Sequence, residues 1–170
     1  MLSRVNIQTD ASGLRVAVVV SRYHESITSV LEEGAASAFL DMGGAEQDLL
    51  IVDAPGTYEL VALCRALVMT DRPRPFDAVV ALGCVITGET THDQYINHAV
   101  SSALADLTVI SGTPIAFGVL TCQTMAQAEA RAGGDKGNKG AEAMTAAVAA
   151  VGQVRRLDEA ASTATTEGEC

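Results

Sequence analysis

Leu14-Arg15-Val16-Ala17-Val18-Val19-Val20 is a β-branched run without polar alternation, the pattern of a strand buried on both faces of a parallel sheet. Three further runs share it, at 49–52, 78–82 and 115–120. Helical patterns fill the gaps. Ile27, Val30, Leu31, Gly34, Ala35, Ala38 and Phe39 recur at helical spacing, and the segment stops at Gly43-Gly44, where a C-terminal glycine belongs. Residues 58–69 are apolar almost all round, interrupted mainly by Glu59 and Arg65. Such a helix is either wedged between the sheet and a neighbouring helix or offers one face to another subunit. A third helix, carrying Ile96, Ala99, Val100, Ala103, Leu104 and Leu107, is expected to start near Thr90. A short fourth follows Thr124 and closes at Gly133-Gly134, and a fifth runs from about Asn138 to Arg155.

Strand and helix thus alternate four times. The economical arrangement is an α/β fold, an open parallel four-stranded sheet flanked by helices on both faces and joined by right-handed crossovers. Ligands in such folds sit beyond the carboxyl ends of the strands. The connections to search are therefore 20–26, 53–58, 83–92 and 120–124.

Composition narrows the class. The chain has 170 residues and is 48% apolar, enough for one packed core. Residues 1–157 are expected to form that domain, and 158–170, with four acids and no base among small polar residues, a disordered acidic tail. The six aromatics are three Tyr and three Phe with no Trp, so the core rests on Ala, Val, Leu and Ile. A formal net charge of -10 argues against nucleic acid and anionic membranes as partners. Cys64, Cys84, Cys122 and Cys170 are widely spaced, giving neither a zinc knuckle nor a disulfide framework. Reduced thiols, no metal, no apolar signal region and no bilayer-length stretch fit a soluble, cytoplasmic protein.

Chemistry concentrates in three places. Gly83-Cys84-Val85-Ile86-Thr87-Gly88-Glu89-Thr90 has roughly the spacing of a triphosphate loop, but Glu89 stands where a lysine is needed. Two readings stay open: Gly88, Glu89 and Thr90 as N–H donors to a single phosphate at a helix amino terminus, or an ordinary turn with Thr90 as cap and Asp93 three residues on. His92 lies in line with Ile96, Ala99 and Ala103 and is expected to point inward at the strand ends. It is either a structural histidine or an acid–base group, whereas His98 belongs to the polar face. Residues 131–140, glycine-rich with Arg131, Lys136 and Lys139, read equally as a flexible connector or an anion clamp.

Ser21-Arg22-Tyr23, Pro55-Gly56-Thr57-Tyr58-Glu59, residues 83–95, residues 114–121 and residues 131–140 together resemble the 6,7-dimethyl-8-ribityllumazine synthase family, in collinear order over about residues 13–156. The resemblance implies a flavodoxin-like three-layer sandwich. It also implies condensation of 5-amino-6-ribitylaminouracil with 3,4-dihydroxy-2-butanone 4-phosphate, without metal or organic cofactor. On it, Tyr23 stacks on the pyrimidine, Gly56, Thr57, Tyr58 and Glu59 lie in the motif that meets the ribityl chain, and Val85 and Ile86 flank the pyrimidine. Gly88, Glu89 and Thr90 form the phosphate turn and His92 transfers protons. Phe117 reaches across a subunit boundary, and Arg131, with Lys139 near it, holds the phosphate. The implied assembly is a homopentamer with sites between subunits. The compact 133–140 connector favours the family's shell of twelve pentamers. Thr87 replaces a common Arg, Asp93 a common aromatic and His24 a common Asn. These departures keep a non-catalytic flavin- or lumazine-binding storage oligomer in view, with a flavodoxin-like electron carrier as a third reading.

Overall fold

In a computed structural model, residues 4–167 are described, with side-chain burial for 4–162. β1 (Val16–Ser21), β2 (Leu49–Ala54), β3 (Ala78–Ile86) and β4 (Ile115–Cys122) form one sheet in the order β2-β1-β3-β4. Every pairing is parallel, with Val18 opposite Ile51 on one side and Val80 on the other. This is the open parallel α/β sheet that the sequence pattern implies, in the flavodoxin-like form that the resemblance implies. The unbroken apolar run ends up at the centre: every residue of β1 is buried, and all of β3 except Ile86. The edge strands β2 and β4 are only partly covered. The strands run past the apolar cores read in the sequence, β3 by four residues, because the ladder to β4 continues through Ile86 and Cys122.

α1 (Glu25–Asp41), α4 (Met125–Arg131) and α5 (Lys139–Glu167) cover one face, burying Ile27, Leu31, Phe39, Ala128, Met144 and Val148 against Val16, Val18, Val20 and Val80. α2 (Leu60–Met69) and α3 (His92–Ser111) cover the other, where Leu60, Cys64, Leu67, Val100 and Leu104 meet Ala17, Val19, Val79 and Ala81. The residue parity of β1 and β3 divides the two cores, as expected of a strand whose side chains alternate between faces.

Three expectations change. α3 begins at His92 rather than near Thr90, with Thr91 at its N-cap making no side-chain bond. The glycine-rich stretch is an antiparallel hairpin, β5 (Ala132–Gly134) with β6 (Gly137–Asn138), rather than an open connector. Gly133 and Gly137 adopt positive φ there (94° and 78°), which favours glycine. Finally, α5 continues to Glu167 instead of ending at Arg155, so residues 158–167, expected as part of the tail, are helical. Residues 168–170 lie outside the described residues.

Asn138 explains why the last helix starts where it does. Its Oδ1 accepts from the N–H groups of Gly140 (2.8 Å) and Ala141 (3.2 Å), capping α5, while its Nδ2 donates to the Val30 carbonyl on α1 at 2.8 Å. One side chain thus sets a helix start and a helix–helix contact. Among the described residues, no helix is long and apolar enough to cross a membrane.

Candidate active site

Beyond the carboxyl ends of β1 and β3 lies a pocket of about 410 Å³ lined by the 23–24, 56–59 and 84–96 regions. A second cavity of about 520 Å³ adjoins it, sharing Tyr58, Glu59, His92 and Ile96 and adding Tyr95 and Ala99. The first pocket draws on three of the four connections singled out in the sequence. The crevice at the ends of parallel strands is open because α2 and α3 start only after several residues of loop.

Each wall has a local cause. The chain leaves β1 at Ser21, and Arg22 is drawn away from the pocket: it pairs with Glu32 at 2.8 Å and with Asp53. The hydrogen bond to Asp53, with Glu32 adding to it, raises the guanidinium's pKa further, against a smaller cost of burial. Tyr23 is left largely exposed beside the pocket, its ring edge-on to His24 with centroids 4.9 Å apart. Thr57 is buried because β3 presents a glycine there: a methyl at Gly83 would stand 2.9 Å from Thr57 Oγ1. The Glu59 carboxylate folds back over Gly56, 2.7 Å from where a side chain at that position would begin. Val85 and Ile86 supply apolar lining.

The 88–91 turn bridges β3 and α3. Among the described residues, the N–H groups of Gly88, Glu89 and Thr90 donate to nothing within the chain, so they remain free to receive an anion at the start of a helix. His92 is exposed, and it lines both cavities at the strand ends. Asp93 and Ile96 line the pocket on the same helix.

The pocket gathers Tyr23, Gly56, Thr57, Tyr58, Glu59, Val85, Ile86, Gly88, Thr90 and His92. Glu89, Phe117, Arg131 and Lys139 do not line it. Phe117 lies on the edge strand β4 and is partly exposed, Arg131 ends α4 near Cys122, whose thiol burial pushes up with Arg131 opposing the rise only in part, and Lys139 pairs with Glu142 at 3.2 Å. Sequence reasoning passed over Cys84 and Ile96 as lining residues. Ile96 carries an ordinary core signal, and Cys84 becomes a lining residue only because β3 runs to the pocket floor. Burial, with a smaller push from Cys122, raises the Cys84 thiol to about 11, so it is protonated at neutral pH. Among the described residues no cluster of His, Cys, Asp and Glu is placed to hold a metal.

The family model for 6,7-dimethyl-8-ribityllumazine synthase matches residues 13–155. Proteins named 6,7-dimethyl-8-ribityllumazine synthase are similar to the chain along most of their length. That of Thermus thermophilus is 43% identical over 128 residues, covering 75% of this chain and 80% of its own. That of Anaeromyxobacter dehalogenans is 44% identical over 127 residues, 75% of this chain and 76% of its own. The protein of Rhodopirellula baltica is 42% identical over 124 residues, 73% and 78% respectively.

Proposed function

The chain belongs to the 6,7-dimethyl-8-ribityllumazine synthase family, transferases of riboflavin biosynthesis, and from that premise we propose how its pocket makes the lumazine. The substrates are 5-amino-6-ribitylaminouracil and 3,4-dihydroxy-2-butanone 4-phosphate. The pyrimidine lies between Tyr23 and the Val85–Ile86 edge, with its ribityl chain toward Thr57 and Glu59. The phosphate of the second substrate lies on the N–H groups of the 88–90 turn. The uracil amine attacks the ketone, the carbinolamine loses water to give an imine, phosphate leaves, and ring closure expels a second water. His92, at the boundary of the two cavities, moves the protons, a task for which an imidazole is suited. Holding both substrates in one pocket supplies much of the acceleration.

The observation that carries this reading is a mismatch of charge. Among the described residues, the pocket's lining offers two carboxylates, Glu59 and Asp93, two histidines, and no lysine or arginine. A phosphate that must depart from such a site needs fixed positive charge. Arg131 and Lys139, with Phe117, lie outside the pocket of their own chain, and we assign them to the pocket of a neighbouring copy. The active unit is thus a ring of copies, a pentamer, and the compact hairpin at 132–138 suits a shell of twelve such rings. The reaction itself takes place in the cytoplasm.

Mixing the purified protein with both substrates is expected to yield the fluorescent lumazine; product no faster than the uncatalysed background overturns the assignment, and tight flavin binding without turnover would point to a storage role. Sharing of sites is tested by co-assembling His92→Ala with Arg131→Ala, each inactive or slow alone. Mixed oligomers regenerate some intact sites and regain activity. No recovery places Arg131 in its own chain's site. Light scattering that finds only five-subunit particles removes the shell.

A further inference from the structure

β3 ends at Ile86, and the next residue is held twice: the Thr87 N–H donates to the Cys122 carbonyl at 2.9 Å, and its hydroxyl donates to Asp93 Oδ2 at 3.0 Å. Between those anchors residues 88–91 are exposed, and a side chain added at Gly88 would meet nothing within 4 Å. Packing therefore does not shape the turn. Helix capping does not either, because Thr91 makes no side-chain bond to α3. Among the described residues, the Thr87–Asp93 bond is the side-chain tie that closes the span from sheet to helix.

The far side of Asp93 supports the same reading. Its Oδ1 is buried without a partner, and so is Asn97 Oδ1, one turn along α3. Residues four apart on a helix are neighbours, and a buried acceptor left unpaired is costly. Turning the Asn97 amide so that its NH₂ faces Asp93 gives the carboxylate a donor at each oxygen. There is an electrostatic reason to tie it this way. A carboxylate in the first turn of a helix suits the helix dipole, yet one free to swing beside a phosphate site would repel the ligand. Held by Thr87 at Oδ2 and buried at Oδ1, the Asp93 carboxylate is kept from swinging toward the ligand although it borders the pocket.

We propose that Thr87 and Asp93, backed by Asn97, are positioning residues: a clamp that presents the N–H groups of residues 88–90 to the phosphate and holds His92 at the pocket rim. The inference rests on the phosphate assignment above. Inorganic phosphate is the probe, titrated calorimetrically into the assembled wild-type protein and into Thr87→Val, Thr87→Ser and Asp93→Ala, with kcat and KM measured for each substrate. Thr87→Val and Asp93→Ala are expected to raise the phosphate Kd, and the KM of the phosphate-bearing substrate, about tenfold, with the uracil KM changed less than about twofold. Thr87→Ser, which keeps the hydroxyl, is expected to match wild type. Unchanged phosphate affinity in Thr87→Val, or a Thr87→Ser as weak as Thr87→Val, overturns the clamp. Should Asp93→Ala fail to fold, the exposed Thr87 pair decides the matter alone. A wild-type protein that binds phosphate but makes no lumazine overturns the reaction, and the same phosphate series still decides the clamp. Wild-type protein that binds no phosphate overturns both.

Discussion

On one face of the sheet α1 and α5 approach so closely that a methyl at Gly140 would lie 2.6 Å from the Leu31 carbonyl carbon, while Asn138 has a partner for both ends of its amide. On the other face α2 and α3 leave two adjoining cavities, buried oxygens on Asp93 and Asn97 without partners, and Tyr58, Tyr95, Val109 and Ile110 exposed, Tyr95 by 72% and Val109 by 84%. The same sheet supports both, so its strands do not account for the contrast. One face is completed by the chain's own helices, and the other keeps the groups that a ligand or a second copy would complete. Stability should therefore reside mainly on the first face and binding on the second.

Substitutions on the closed face should cost stability and leave the uracil KM of the folded fraction alone, since the pyrimidine and ribityl contacts all lie on the other side. Gly140→Ala is the most severe, because the clash is with backbone that cannot rotate away; a loss of about 3 kcal/mol or more is expected in denaturant unfolding. A Gly140→Ala protein that melts like wild type would show the two helices to be free to separate, and the contrast would fail. Asn138→Ala removes the α5 cap and the bond to Val30, at a cost of about 2 kcal/mol. Here again the uracil KM of the folded enzyme should not move.

Gly83→Ala probes the open face. The new methyl presses on the buried Thr57, whose side chain can give way, so the stability loss should be nearer to about 1 kcal/mol. The KM for the ribityl-bearing uracil should rise severalfold. If stability falls with no change in KM, Thr57 has only a packing role.

The smallest effect sharpens the comparison through pH. Burial raises the Cys64 thiol, on the sheet-facing side of α2, from 9.0 to about 12. A raised pKa means that the folded state holds the proton the unfolded chain releases first. The contribution is fully present below about pH 9 and is lost as pH rises toward 12. Melting temperature should decline over that window, and the decline should be shallower in Cys64→Ala than in wild type. Parallel curves for the two proteins would show that Cys64 does not cause it.

The four strands, the five helices and the chain segments forming the pocket were legible in the sequence, because strand cores and amphipathic helices are written in the periodicity of apolar residues. Boundaries were less so. α3 was expected to begin near Thr90, whose residue type suits a cap, but the hydroxyl of Thr87 and the carboxylate of Asp93 engage each other instead, a pairing between residues that straddle the helix start. His92 does border the crevice at the strand ends, but it stays exposed: periodicity gives a helix face, but it does not say how much of that face is covered. In the 131–140 stretch, composition left connector and clamp equally open. The outcome was a hairpin closed on α1 through Asn138, because the partner, Val30, is 108 residues away in the chain.

Taken by itself, the sequence determined the α/β alternation, the central place of the 16–20 run and the residue types available for chemistry, since each depends on neighbours within a few positions. Only the tertiary structure decided which of those residues share a cavity. It brought Tyr23, Thr57, Val85 and His92 to one pocket and left Phe117, Arg131 and Lys139 outside it. Strand order and the placement of the helix ends set that division, because parallel strands bring their carboxyl ends together however far apart they lie in the chain, while Phe117 on an edge strand, Arg131 at the end of α4 and Lys139 at the start of α5 remain on the outside.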